Sequence, residues 1–262
     1  MMKKLITLAV AMMILVTVFS GCGKKGKSLA DIKNAGKLVV ATSPDFPPFE
    51  ELQNDGSIVG IEVDIMQIIC DRLGVELELV SVDFESVLPG VQAGKYDVGM
   101  SGISVTDQRK KNVLFTDPYC LAAQAIVVTE GSPIKNKADL AGKKVSVQTG
   151  TTAELFTREN GYEVSSFAAN VDAELALTTG KVDAWVIDDL TAAEMVAAYN
   201  EEHTDQLVVL NDPMTTEPYA FAFMKGSDDL VASINSILNE LVADGTVAAL
   251  FEKWNAPFTA PK

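Results

Sequence analysis

The chain has 262 residues, enough for two small domains, and its 48% hydrophobic and 22% charged residues are ordinary for a soluble globular protein. Its net charge is −15 at pH 7, and −17 without residues 1–21, which carry Lys3 and Lys4. Because nucleic acid and anionic lipid headgroups attract basic surfaces, we expect neither as an electrostatic partner of so acidic a chain.

The first 22 residues form a targeting segment that is not part of the fold. A basic start precedes the apolar run Leu5–Phe19, which is too short for a stable transmembrane helix. The run ends at Ser20-Gly21-Cys22, which resembles the lipobox of bacterial lipoproteins. The resemblance implies a signal peptide over residues 1–21, a lipidated Cys22, and a lipidated tether over residues 22–36. An ordinary secretion signal, with Cys22 as a spare thiol, is the alternative.

The residues after the tether predict alternating strands and helices. Prolines stop the first β-branched run, and apolar residues then recur at helical spacing until Gly74. In chain order we predict a strand at Lys37–Thr42, a helix at Val63–Leu73, a strand at Val75–Val80, a helix at Phe84–Ala93 and a strand at Tyr96–Met100. This order is typical of a parallel sheet covered by helices.

The stretch Ser101–Lys111 follows a predicted strand and carries the residue types that hold a small anion. Small residues and hydroxyls come first, Thr106 and Asp107 then predict a helix N-cap, and Arg109 lies about one turn along. A strand end, a helix start and a guanidinium together suit a carboxylate. A solvated surface turn is the alternative.

The second half of the chain echoes the first. A strand and a helix lie between Gly74 and Gly94, 20 residues apart, and again between Gly161 and Gly180, 19 residues apart. The echo indicates two lobes built alike, although such turns also recur by chance. Further predicted elements are helices at Lys137–Gly142, from the cap Thr151 to Asn160, at Thr191–Tyr199, Asp228–Ala243 and Thr246–Trp254, and strands at Lys143–Gln148, Val182–Ile187, Gln206–Leu210 and Tyr219–Met224.

Two extended segments join the lobes. Ala122–Thr129 leaves the first lobe and Asp212–Pro218 returns to it. We therefore predict a first lobe from residues 37–121 plus 220–262, a second lobe from residues 122–219, and a cleft between them. Ligands of open α/β sheets lie outside the carboxyl ends of the strands, which here border the cleft.

Several motifs in register resemble one protein family. Ser101–Arg109 is similar to the G-I-T-x-T-x-x-R signature of the amino-acid-binding proteins of ABC importers, the family 3 solute-binding proteins related to the glutamine and lysine/arginine/ornithine binders. Four further motifs match in order, within a resemblance that runs from Lys37 to Trp254: ATSPDFPPFE, VGIEVDIMQIICDRLG, LFTDPY and VQTGTT.

The resemblance implies an α/β, two-lobed type II periplasmic-binding-protein fold. Each lobe is then a mixed sheet built from βαβ units with helices on both faces, and two hinge strands join the lobes. A free L-amino acid binds in the cleft outside the cytoplasmic membrane and passes to an ABC permease. We expect a monomer without cofactor or metal.

The family's ligand residues fall on matching positions here. Arg109 takes the ligand carboxylate, helped by the backbone N–H groups of Ser104 and Thr152, and Asp188 takes the ammonium with the Gly102 carbonyl and the Ser104 hydroxyl. The remaining implied ligand residues are Phe46, Phe84, Ser101, Gln148 and Thr151. Core packing is the alternative for the two phenylalanines, and a helix N-cap, shared with Asp189, is the alternative for Asp188.

Three departures from the family pattern predict a pocket with little charge. Ser43, Gln148 and Ile187 stand where relatives carry an acid, a lysine and a histidine. A neutral amino acid is therefore expected to bind better than a charged one, since a buried charge needs an opposite charge. An amino acid with a cationic side chain is the alternative, since Asp45 would offer that side chain an opposite charge.

Other functions have weaker support in the sequence. No nucleophile-elbow, zinc-protease or P-loop motif occurs, the chain's one histidine is His203 in a polar run, and no cysteine or histidine pattern predicts a metal. A cyclohexadienyl-dehydratase-like enzyme on the same fold and an amino-acid sensor feeding a membrane receptor remain alternatives. We expect Cys70 and Cys120 to remain free thiols, and a disulfide between them is the less expected alternative.

Overall fold

The computed structural model describes residues 25–261. The predicted signal peptide and Cys22 lie outside the described residues. No helix within residues 25–261 is long and apolar enough to cross a membrane. The described chain forms two lobes, each built on a five-stranded sheet.

The first segment of the chain contributes most of lobe 1. Its elements are α1 (Leu29–Ala35), β1 (Lys37–Thr42), β2 (Asp45–Phe46), β3 (Glu50–Leu52), β4 (Ile58–Val59), α2 (Ile61–Leu73), β5 (Glu76–Ser81), α3 (Phe84–Gln92), β6 (Val98–Gly99), α4 (Asp107–Lys110) and β7 (Val113–Phe115). The short strands β2, β3 and β4 form a separate antiparallel sheet after β1.

The chain then crosses to lobe 2 and returns. Strand β8 (Cys120–Ala122) leads into β9 (Gln124–Thr129), a 3₁₀ helix (Lys137–Leu140), β10 (Lys144–Gln148), α5 (Thr152–Glu159), β11 (Glu163–Phe167), α6 (Asn170–Thr178), β12 (Ala184–Asp188), α7 (Asp189–Glu202) and β13 (Leu207–Val209). Strand β14 (Glu217–Tyr219) returns to β15 (Ala222–Met224), α8 (Asp228–Ala243) and α9 (Thr246–Lys253) of lobe 1.

The two lobes share one topology. The strand orders are β5-β1-β6-β15-β7 and β11-β10-β12-β9-β13. In each sheet the first three strands are parallel and the fourth runs antiparallel to them. The units β5–α3 and β11–α6, which the glycine spacing picked out, occupy equivalent places, so the echo is structural.

The two crossings lie side by side. Strands β8 and β14 pair antiparallel, with Cys120 opposite Tyr219 and Ala122 opposite Glu217. The predicted strand Tyr219–Met224 is in fact two strands, because the buried pair Ala220 and Phe221 carries the chain from the crossing ribbon into the lobe 1 sheet. Such a ribbon is the natural place for a hinge.

Helical spacing predicted part of the core of lobe 1, although α2 begins at Ile61, two residues before the predicted start at Val63. Ile61, Ile65 and Ile69 of α2 are fully buried and lie on one face of the helix. Cys70 and Cys120 are buried free thiols. Gly74 ends α2 at φ 73°, a left-handed conformation that glycine adopts without strain.

Part of the predicted tether is folded. Ser28 accepts a hydrogen bond from the Asp31 backbone, Asp31 accepts one from the Ser28 backbone, and this capping box opens α1. Ile32 is fully buried in the lobe 1 core. The expectation of a tether over residues 22–36 is therefore wrong for residues 29–36, since a capped helix with a core residue belongs to the lobe.

Candidate functional site

The carboxyl ends of β1, β6, β10 and β12 meet between the lobes around a narrow cavity of about 20 Å³. Every residue assigned to ligand binding lines this cavity, together with Ile187: Phe46, Phe84, Ser101, Gly102, Ser104, Arg109, Gln148, Thr151, Thr152 and Asp188. Ala153, Asn170 and Val186 complete the lining. The implied ligand residues thus come together in one place.

Arg109 enters the cavity from lobe 1. Thr106 caps α4 by accepting a hydrogen bond from the Arg109 backbone N–H, which fixes where the side chain starts. The guanidinium donates to the Ser104 carbonyl at 2.9 Å and to the Gly150 carbonyl of lobe 2 at 3.1 Å. Burial lowers its pKa, while the facing carboxylates of Glu217 and Asp188 oppose that effect. The result is a poorly hydrated cation suited to a carboxylate.

Asp188 enters from lobe 2 at the end of β12. Its backbone occupies the N-cap position of α7, but its carboxylate makes no cap hydrogen bond. Instead it accepts hydrogen bonds from the Gln124 amide and the Tyr219 hydroxyl. Burial raises the pKa of Asp188 well above its ordinary value, and Glu217 adds to the rise. A cation in the cavity would favour the ionised form of this carboxyl group.

The loop from Ser101 to Ser104 depends on a glycine. Gly102 has φ 53°, and a methyl group there would overlap Cε1 of Phe46 and come within 3.2 Å of Cε2 of Tyr219. The loop backbone therefore passes directly over an aromatic ring that lines the cavity. This close approach is the structural reason for the small residues noted in the sequence.

Two fully buried carboxyl groups hold that loop from below. Ser101 donates its hydroxyl to Glu50 at 2.9 Å, and the Gly102 backbone donates to Glu62 at 3.0 Å. Tyr119 donates its hydroxyl to Glu62 at 2.5 Å. Burial raises the pKa of both carboxyl groups, and the neighbouring Glu62 raises that of Glu50 further. Burial and the neighbouring Glu62 carboxyl group therefore favour the protonated form of Glu50.

Thr151 and Thr152 open α5 at the lobe 2 wall. Thr151 caps the helix by accepting from the Glu154 backbone at 3.1 Å. The Thr152 hydroxyl donates to Glu217 of the crossing strand at 2.7 Å and lies 3.4 Å from the Ser104 hydroxyl of lobe 1. The helix start, with its free backbone N–H groups, thus faces the cavity beside Arg109.

The two phenylalanines differ in their surroundings. Phe46 is almost fully buried and stacks on Phe49 with ring centroids 5.6 Å apart, so it serves the core as well as the cavity wall. Phe84 is half-buried, and the Arg109 guanidinium lies 5.7 Å from its ring centroid.

Ser43 and Asp45 lie outside the cavity lining, unlike the expectation that they select the ligand side chain. The Asp45 carboxylate accepts from the Ser43 hydroxyl at 2.9 Å, from the Gln148 amide at 3.1 Å and from the Asn170 backbone at 2.8 Å. Because Gln148 and Asn170 belong to lobe 2, these contacts fasten the lobes together. Burial raises the pKa of Asp45.

Several residues of the site were not predicted from the sequence. Glu217 and Tyr219 lie on the crossing strand β14 and Gln124 begins β9, and their side chains contact Asp188 or Thr152. Asn170 donates its side-chain amide to the side-chain oxygen of Gln148 at 3.2 Å. In the sequence, acids within apolar stretches, at Glu50 and Glu62, were the one indication of the buried carboxyl groups that support the loop. Within residues 25–261 no group of three or more His, Cys, Asp or Glu side chains is arranged to hold a metal.

The chain is similar to known proteins over most of its length. Residues 38–257 match the family model described as bacterial extracellular solute-binding proteins, family 3. The L-cystine-binding protein TcyJ of Escherichia coli (strain K12) is 32% identical over 254 residues, which cover 93% of this chain and 94% of that protein.

Two solved structures show the same architecture. The arginine-bound form of truncated ArgBP from T. maritima has a TM-score of 0.76 at 41% identity, covering 81% of this chain and 99% of that one. The ancestral amino acid-binding protein AncCDT-1, a precursor of cyclohexadienyl dehydratase, has a TM-score of 0.79 at 34% identity, covering 86% and 98%. The motifs, the two-lobed fold and these matches agree: the chain belongs to the bacterial extracellular solute-binding proteins, family 3.

Proposed function

We propose that the chain binds a free L-amino acid in the interlobe cavity and delivers it to an ABC permease. The observation that carries the proposal is the pairing of Arg109 from lobe 1 with Asp188 from lobe 2. A zwitterion presents one carboxylate and one ammonium, and each finds an opposite charge here. The cystine binder, the arginine-bound protein and the ancestral amino acid-binding protein are relatives of matching function.

Ligand capture is coupled to closure of the lobes. The ligand charges would be held by different lobes, so a bound amino acid favours the closed arrangement over the open one. Asp45 with Asn170, and Ser104 with Thr152, add direct contacts across the cleft. We propose that the closed arrangement is the form that the permease recognises.

We infer that the preferred amino acid has a neutral side chain. Apart from Arg109 and Asp188, every side chain that lines the cavity is neutral. Asp45, the nearest further acid from the first-strand motif, already accepts hydrogen bonds from three groups. A charged ligand side chain would then be buried without a free opposite charge, which is costly.

Binding without catalysis fits the site best. A general acid or base must be free to exchange a proton with its substrate. Arg109 and Asp188 are the titratable side chains of the lining, and each is placed to hold a ligand charge. The site residues therefore fit a stable complex with an amino acid.

We further propose that a lipid on Cys22 anchors the protein, as a monomer, on the outer side of the cytoplasmic membrane. One acyl chain gives only marginal membrane binding, and the diacylglyceryl group of such lipoproteins supplies two. Replacing Cys22 by Ser should move the protein from the membrane fraction to the soluble extracytoplasmic fraction. An unchanged membrane fraction would refute the anchor.

A thermal-shift screen tests the ligand. An amino acid at about 100 times its dissociation constant stabilises the fold by about 2.7 kcal/mol, which is a measurable rise in melting temperature. Glutamine, cystine and the small neutral amino acids should give the largest rises. If arginine or lysine gives the largest rise, the neutral preference is wrong. Conversion of a prephenate-type acid would make the protein an enzyme.

A further inference from the structure

The first described residues are docked onto lobe 1, not free. Gly26 is buried and donates its backbone N–H to the Lys225 carbonyl at 3.3 Å. A methyl group on Gly26 would lie 2.7 Å from the Ser227 nitrogen and 2.9 Å from the Lys225 carbonyl oxygen. This close fit requires glycine and places residue 26 against the turn between β15 and α8.

Two further contacts hold the same stretch. Lys27 forms a 2.7 Å ion pair with Asp97, whose side chain is 3% exposed and also accepts the Val39 backbone N–H. The Leu29 backbone donates to Asp229 in the first turn of α8 at 3.2 Å. The chain from Gly26 to α1 is therefore fixed to the body of lobe 1.

The docking site lies at the end of lobe 1 that is far from the cleft. Asp97 immediately precedes β6, whose other end leads into Ser101 and Gly102 of the ligand cavity. Strand β15 runs antiparallel to β6, so Lys225 and Ser227 lie beside the start of β6. We call this end, formed by Lys225–Asp229 and the docked Gly26–Ser28, the distal pole.

The distal pole is only four residues from Cys22. An extended residue spans at most about 3.6 Å, so four residues reach about 14 Å. If Cys22 carries the lipid, as the proposed anchor requires, the distal pole cannot leave the membrane surface by more than about that distance.

We propose that the distal pole of lobe 1 is held at the phospholipid surface, closer to it than the far end of lobe 2. The pole carries both signs of charge, with Lys27 and Lys225 beside Asp228 and Asp229, so the short docked tether and not electrostatic attraction sets this orientation. The inference rests on the proposed lipid anchor. It adds which face of the protein is turned toward the membrane and how far that face can move away from it.

Fluorescence quenching in vesicles tests the orientation. The full-length lipidated protein is reconstituted into phosphatidylcholine vesicles that contain a headgroup-labelled quencher lipid. One single-cysteine label replaces Asp228 at the pole, and another replaces Glu159 at the exposed end of α5 in lobe 2. The native thiols Cys70 and Cys120 are buried, and the unsubstituted protein gives their background. We expect the label at residue 228 to be quenched several-fold more than the label at residue 159.

A matched pair of glycine variants tests the docking itself. Gly26→Val should release the segment up to Ser28, which lengthens the reach to about 21 Å and narrows the difference between the labels. Gly23→Val, within the tether, should leave the difference unchanged.

Two results would overturn the inference, and they are distinguishable. Equal quenching of both labels on membrane-bound protein shows a freely tumbling body and leaves the anchor intact. Protein that stays soluble, with or without Cys22→Ser, refutes the anchor and the orientation with it. The comparison of the two labels uses no destabilised variant, so the orientation is tested even if the Gly26→Val protein misfolds.

Discussion

Gly102→Ala should destabilise the protein and weaken ligand binding together. At φ 53° an alanine costs about 1–2 kcal/mol, because the left-handed region crowds its Cβ. The added methyl also overlaps the Phe46 ring, and such overpacking costs about 1–3 kcal/mol. The free energy of unfolding should therefore fall by about 2–5 kcal/mol, and the displaced Phe46 ring and Gly102 carbonyl should lower ligand affinity.

Gly180→Ala is the matched control. Gly180 has φ 68°, so alanine there meets the same backbone cost, but no atom lies within 4 Å of the added methyl. Urea unfolding of both variants measures the difference, which isolates the clash with Phe46 at about 1–3 kcal/mol. If Gly102→Ala is no more destabilising than Gly180→Ala and binds ligand as the wild type does, the ring does not lie under the loop as described.

Two further predictions concern protons and closure. Burial and Glu62 hold the folded-state pKa of Glu50 well above 4.5, so the folded protein retains a proton that the unfolded chain releases. Stability contributed by this group is thus present below about pH 4.5 and is lost as pH rises toward the folded-state pKa. Glu50→Gln, whose amide oxygen still accepts the hydrogen bond from Ser101, should gain stability relative to wild type from pH 5 to pH 8 in urea melts without ligand; parallel profiles would argue against a raised pKa of Glu50. Small-angle scattering should show a smaller radius of gyration with ligand, because the β8–β14 ribbon lets the lobes close; identical saturated and empty profiles would exclude a hinge there.

Local patterns predicted local structure well. Helical spacing predicted most of α2, the bounds of α8 were predicted as observed, Thr151 capped α5 as expected, and the glycine spacing indicated two similar lobes, which share one topology. The Arg109 turn was also readable, since its cap, its small residues and its arginine lie within one short stretch.

Contacts between distant residues were not readable from the sequence. Asp45 meets Asn170 across 125 positions, and nothing near either residue indicates the pairing. Asp45 was therefore expected to face the ligand, although its carboxylate joins the lobes. Glu217 and Tyr219 reach the site only because the crossings β8 and β14 lie side by side, which is a property of the folded topology.

Calorimetry on Arg109→Met and Asp188→Asn tests the central claim, that these two side chains hold the two charges of one amino acid. The ligand is the amino acid that gives the largest melting shift. Each variant leaves a buried ligand charge unpaired, at a cost of about 3–5 kcal/mol, so affinity should fall by about 100-fold or more. The controls are Arg158→Met, which removes an exposed arginine paired with Glu154, and Asp107→Asn, whose side chain is 99% exposed. Both controls should bind as the wild type does, and near-native affinity in either site variant would place the ligand elsewhere.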